Sequence, residues 1–166
     1  MSGETMTAAR RGEPRTIPHG MLRVFWALHR GAYRATGGRF GLTLPEAGKR
    51  FGMMRLHTIG RRSGDTRTVI VGYIEDGPNL VTIAMNGWAA QDPAWWLNLQ
   101  ANPHATVDLR DGRRAVTARP ATESERNRVW PRFDEYPGYG GDIDLLAARR
   151  PEQTALVVFE PRESSQ

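Results

Sequence analysis

The chain of 166 residues contains no cysteine, which excludes disulfides and thiolate metal sites. No run approaches the roughly 20 apolar residues of a membrane span, and the N-terminus lacks the apolar core of a secretory signal. The four histidines, His19, His29, His57 and His104, are scattered without metal-ligand spacing. No serine sits in a nucleophile elbow, and no paired carboxylates suggest hydrolysis. Lysine is almost missing too: Lys49 is the single one among 23 basic residues. The expectation is one cytoplasmic domain with a core of its own, whose hard chemistry, if it is an enzyme, belongs to a bound cofactor.

Charge is present, and it is unevenly placed. Up to Arg67 there are 13 basic against 4 acidic residues; from Thr68 onward there are 10 against 14. The excess of +5 therefore belongs to the first part of the chain, which suggests an anionic partner such as a phosphorylated small molecule or a lipid surface. The basic residues form no long stripe and do not alternate with aromatics as in nucleic-acid readers, so no nucleic-acid partner is expected.

Residues 1–16 read as a disordered polar tail, and residues 17–48 as an N-terminal helix and linker. Met21, Val24, Phe25, Leu28 and Ala32 recur at helical spacing, with Arg23, Arg30 and Arg34 opposite. Such a helix either covers one end of a sheet or lies on anionic lipid at the inner face of the membrane. Residues 49–162 change texture. Short runs rich in Val, Ile, Leu and Thr, at 53–59, 66–74, 80–85, 104–110, 113–119 and 154–159, are separated by turn signals. Asp111-Gly112 is the strongest hairpin signal. Two helices interrupt: Asp92 and Pro93 open the first and Asn102-Pro103 stops it, while Thr122 and Glu125 have capping-box spacing for the second. The pattern predicts a mainly β (α+β) fold, a small barrel or sandwich of mostly antiparallel strands with helices at its edges.

Three constellations could carry chemistry. The turn Arg61-Arg62-Ser63-Gly64, with Arg67 on the next strand, offers guanidinium forks and backbone N–H groups for phosphate or carboxylate; an ordinary exposed hairpin uses the same residues. Trp95 and Trp96 would point about 100° apart on a helix, so one suits the core and the other a groove for a ring system. Tyr136-Pro137-Gly138-Tyr139 is an aromatic loop that could cover a ligand or donate a proton, or be a surface loop with incidental tyrosines.

The ordered set Thr58-Ile59-Gly60-Arg61-Arg62-Ser63-Gly64, Arg67, Gly72-Tyr73, Pro93-Ala94-Trp95-Trp96-Leu97-Asn98-Leu99, Ala101-Asn102-Pro103 and Tyr136-Pro137-Gly138-Tyr139 resembles the deazaflavin-dependent nitroreductase family. The resemblance covers roughly residues 50–161 and implies a split β-barrel of about six strands and use of coenzyme F420. By position it implies that Arg61, Arg62 and Ser63 meet the coenzyme's anionic tail. Arg67, Thr68, Val69, Ile70, Val71 and Gly72 would approach the deazaflavin ring. Ile83, Ala84, Met85 and Asn86 form a third binding segment, and Ala94, Trp95, Trp96, Leu97 and Asn98 an aromatic helix. Tyr139 and Tyr136 match active-site tyrosines beside coenzyme and substrate. The chain departs from the pattern at Met85-Asn86-Gly87-Trp88, where members carry Ser-Lys-Gly-Gly, and at Asp142, where they carry a third tyrosine. The implied activity is hydride transfer from reduced F420 to a small electrophile such as a quinone or enone. The alternatives are an FMN-binding oxidoreductase of the same fold and a non-catalytic carrier of deazaflavin or lipid. No metal is expected, and the oligomeric state stays open.

Overall fold

The computed structural model describes residues 41–138 and 142–162. The expected N-terminal tail and helix up to residue 40, and Tyr139, lie outside the described residues.

Six strands form one closed antiparallel barrel: β1 (Gly52–Ile59), β2 (Thr66–Asp76), β3 (Asn79–Ile83), β4 (His104–Leu109), β5 (Gly112–Pro120) and β6 (Leu156–Pro161). Around the barrel the order is β1-β2-β3-β6-β5-β4. In β1 the sequence alternates as the period of a strand demands: Met54 and Leu56 point inward, Met53, Arg55 and His57 outward. In β3 and β6 the apolar residues run consecutively, because these strands are covered on both faces. Leu80, Val157 and Phe159 fill the barrel with Met54, Leu56, Tyr73 and Val107. Val81, Ile83, Leu156 and Val158 face outward into a second core with Val129, Trp130, Phe133, Tyr136 and Ile143.

Helix α1 (Ala94–Ala101) joins β3 to β4 and puts Trp95, Trp96 and Leu99 into the barrel core. Helix α2 (Glu123–Val129) and a 3₁₀ turn (Trp130–Glu135) build the second core with α3 (Ile143–Ala147). The capping box of α2 forms as its spacing predicts: the Thr122 hydroxyl accepts from the Glu125 N–H, and the Glu125 carboxylate accepts from the Thr122 N–H at 2.8 Å. The expected cap of α1 does not. Pro93 occupies that position without a side-chain cap, and the Asp92 carboxylate instead binds Arg150 at 2.7 Å. A charged guanidinium competes better for the carboxylate than a single uncharged helix N–H does. Asp142, where the resemblance lacks its third tyrosine, caps α3 by accepting from the Leu145 N–H at 3.0 Å.

Candidate functional site

β1 and β2 pair along their whole shared length, from Gly52↔Tyr73 to Ile59↔Thr66. On its other side β2 meets β3 only at Ile74↔Val81, Glu75↔Leu80 and Asp76↔Asn79. Among the described strands none pairs with that side of β2 between Arg67 and Gly72, so the barrel is split there. An unpaired strand edge presents N–H and C=O groups in a row to whatever fills the gap. Where the split closes, the Thr82 hydroxyl donates to the Gly72 carbonyl at 2.5 Å.

A cavity of about 830 Å³ opens along this edge, within the range of small-molecule sites. One wall is β2 from Arg67 to Gly72. The facing wall is Thr82, Ile83, Met85, Asn86 and Gly87, and the end of α1 contributes Pro93, Ala94, Trp95 and Asn98. Gly60, Arg61, Arg62 and Ser63 complete the lining. The Gly60–Asp65 turn is tied by Gly64 N–H to Gly60 O and by Gly60 N–H to Asp65 O, both at 2.8 Å. Gly64 takes φ +73°, a left-handed conformation that costs a side-chain-bearing residue about 1 kcal/mol or more. A Cβ on Gly60 would come within 3.1 Å of Ser63 Oγ and 3.3 Å of Arg67 Nε, so a side chain there would fill the cradle.

The turn is held against α1 by one buried amide. Asn98 is 6% exposed; its Oδ1 accepts from the Arg61 backbone N–H at 3.2 Å and from Arg61 Nη1 at 3.3 Å, while its Nδ2 donates to Thr58 Oγ1 at 3.3 Å. Across the turn, Arg67 Nη2 donates to Ser63 Oγ at 3.1 Å and to Asp65 at 3.3 Å. Arg61, Arg62 and Arg67 stand against the single carboxylate of Asp65, so the cavity has a cationic end and an apolar body.

Behind β2, His57 bridges strands. Its Nε2 lies 2.9 Å from Asp108 and its Nδ1 2.9 Å from the Thr68 hydroxyl. Partial burial pushes the Asp108 carboxyl up, but hydrogen bonds from Arg113 and His57 outweigh it and bring the pKa down to about 2. The ionised Asp108 carboxylate accepts from Arg113 and from His57 Nε2.

The structure therefore brings together in one cavity Arg61, Arg62, Ser63, every residue from Arg67 to Gly72, and Ile83, Met85, Asn86, Ala94, Trp95 and Asn98. It leaves Ala84, Trp96 and Leu97 outside the lining. Trp95 and Trp96 are both buried, at 8% and 4% exposure, and only Trp95 also lines the cavity. Tyr136 packs into the outer core rather than the lining. Residues that sequence reasoning missed are Thr58, Gly60, Thr82, Gly87 and Pro93. Thr58, Gly60 and Pro93 stood within the ordered motifs without being assigned to the site, Gly87 stood in the segment where the chain departs from the family pattern, and Thr82 carried no signal. Among the described residues no cluster of His, Cys, Asp or Glu could hold a metal ion, and no helix is long and apolar enough to cross a membrane.

The model of the F420H2-dependent quinone reductase family matches residues 26–144. The chain belongs to this family. An F420H2-dependent quinone reductase of Mycobacterium tuberculosis (strain ATCC 25618 / H37Rv) is 33% identical over 110 residues, covering 65% of this chain and 72% of the relative. Among solved structures, an F420H2-dependent reductase (FDR-A) superposes with a TM-score of 0.57 at 25% identity, over 69% of this chain and 98% of that one. A structure described as a domain-swapped dimer superposes with a TM-score of 0.60 over 85% of this chain and 99% of that one; at 23% identity it speaks for the fold alone. Family membership agrees with the resemblance read from the ordered motifs.

Proposed function

We infer that this chain is an oxidoreductase that binds coenzyme F420 in the split of the barrel and reduces quinones. The observation that carries the reading is the open edge of β2 meeting the arginine turn at one end of a single cavity. Deazaflavin is a flat ring joined to a phosphodiester and a glutamate tail, and the donor set suits it. An unpaired strand edge can take the ring's polar rim, Trp95 and Met85 supply apolar walls, and Arg61, Arg62, Ser63 and Arg67 complement the anionic tail. The substitution of Asn86 for a family lysine leaves those three arginines in place.

When bound, the reduced deazaflavin supplies a hydride for transfer to an electrophilic carbon or oxygen. The chain's part is to orient and to exclude water. The β2 edge and the facing segment Ile83–Gly87 set the plane of the slot, and the buried Asn98 keeps Arg61 on its cationic end. Such positioning is worth several kcal/mol of barrier and needs no strong acid. Tyr139 is proposed to contact or protonate the substrate on the strength of the resemblance, and Tyr136 to support the loop that carries it. Quinones, with enones as the second electrophile class, are flat rings or conjugated systems that suit a cavity of about 830 Å³ with Trp95 and Met85 in its walls.

The test is a tryptophan-quenching titration with F420, with FMN as competitor, at near-physiological salt, followed by F420H2 oxidation in the presence of a soluble naphthoquinone. The reading expects saturable F420 binding, little for FMN, and turnover. Preference for FMN would replace the cofactor, and stoichiometric F420 binding without turnover across quinones and enones would make the protein a carrier.

A further inference from the structure

Arg150 is the one charged residue that is buried among the described residues, its side chain 1% exposed. It follows α3, and all its donor nitrogens are used. Nε donates to the Ala89 carbonyl at 2.9 Å. Nη1 donates to the Ala84 carbonyl at 3.2 Å and to Thr154 Oγ1 at 2.9 Å, and Nη2 to the Ala90 carbonyl at 3.5 Å and the Asp92 carboxylate at 2.7 Å. Every acceptor but Thr154 belongs to one segment, residues 84–92, which connects β3 to α1.

That segment is the cavity wall facing the open edge of β2, through Met85, Asn86 and Gly87. It has little backbone bonding of its own: Ala84 N–H to Ala155 O, Met85 N–H to Ile83 O, and Ala89 N–H to Asn86 O. It also holds Trp88 at φ 62°, the only positive φ outside glycine among the described residues. A strained, weakly bonded loop keeps one shape only if something outside it specifies that shape. Arg150 reaches both ends of the loop at once. Its planar fork suits divergent carbonyls and a carboxylate, whereas the point charge of a lysine could satisfy only part of the set.

We propose that Arg150 is a positioning residue for the cavity: it fastens the 84–92 wall, and through Asp92 the start of α1, at the spacing from β2 that the ring slot requires. It touches neither coenzyme nor substrate. The inference rests on the proposed F420-dependent reading only for which ligand the slot takes.

The experiment uses the full chain as wild type, R150K, R150M, D92N and R119M. Arg119 pairs with Glu125 and Glu160 away from the cavity and serves as the control for general destabilisation. Four quantities are read: thermal midpoint, hydrogen exchange of amides 84–92 without ligand, F420 affinity by tryptophan quenching, and kcat and KM for a naphthoquinone with F420H2. R150K is expected to fold, to lose about tenfold protection in 84–92, and to weaken F420 about tenfold, since a lysine ammonium can hold only part of the acceptor set that the guanidinium fork holds. D92N shifts both readouts in the same direction by less, and R119M changes neither even where it lowers the midpoint equally. Wild-type-like exchange at 84–92 in R150K overturns the proposal, as does an equal change in R119M. If R150M fails to fold, R150K and D92N decide. Should wild type bind no F420, the functional reading fails while the exchange measurement still judges Arg150.

Discussion

Replacing Asn98 with alanine removes the amide that holds the arginine turn to α1. Three hydrogen bonds go with it, at 3.2, 3.3 and 3.3 Å. All lie at the long end of the normal range, so each contributes about 0.5–1 kcal/mol and the set roughly 2 kcal/mol. Arg61 is exposed and regains water, whereas the buried Thr58 hydroxyl does not. For a domain of this size that loss lowers the thermal midpoint by about 4–8 °C. Arg61 is also released from its place at the cavity's cationic end, which is expected to weaken F420 about fivefold, or ~1 kcal/mol. The N98D variant separates the two effects. Its carboxylate still accepts from Arg61 and from the Thr58 hydroxyl, so stability is largely kept, yet a fixed negative charge beside an anionic tail weakens F420 more than alanine does. Thermal unfolding and tryptophan-quenching titrations on both variants suffice. Unchanged F420 affinity in N98A, with its midpoint lowered as expected, would refute the argument that Asn98 presets the anion end.

The R62M variant removes an exposed guanidinium and should weaken F420 about threefold to fivefold while flattening the salt dependence of binding, with no change in thermal midpoint. Asp108, with its pKa held at about 2, contributes stability that is fully present above the ordinary carboxylate range near pH 4. That contribution, roughly 2 kcal/mol, is lost as the pH falls through 2. Urea midpoints between pH 5 and 2 should therefore drop less steeply in D108N, and parallel profiles would contradict this assignment. Phe133 is fully buried in the outer core, so F133A should cost about 3–5 kcal/mol in urea unfolding while the protein that remains folded binds F420 as before.

Much of the fold was legible along the chain because it is encoded locally. The alternation in β1, the Asp111-Gly112 hairpin joining β4 to β5 and the Thr122–Glu125 capping box all involve residues within a few positions of each other. Strand ends moved by one or two residues: the last strand begins at Leu156 rather than Thr154, and the third ends at Ile83 rather than Met85. Asp92 shows where local reading fails. Its place before Pro93 is a sound cap signal, but a guanidinium 58 residues away takes the carboxylate instead. Tyr136 is similar: its loop looked like a cover for a ligand, whereas α2, the 3₁₀ turn and α3 enclose its ring in the outer core. The candidate site was legible as three separate segments, and the ordered resemblance linked them.

By itself, then, the sequence determined the strand-rich texture, the basic turn, the aromatic helix start and the family, since each depends on residue types at short, ordered spacings. Only the tertiary structure decided that β3 pairs with just the last three residues of β2, leaving the edge from Arg67 to Gly72 open as a cavity wall. Asn98 and Arg150 were likewise invisible as anchors, because their partners lie about 40 and about 60 residues away. Pairing over such distances follows from how the barrel closes, and closure is a property of all six strands together.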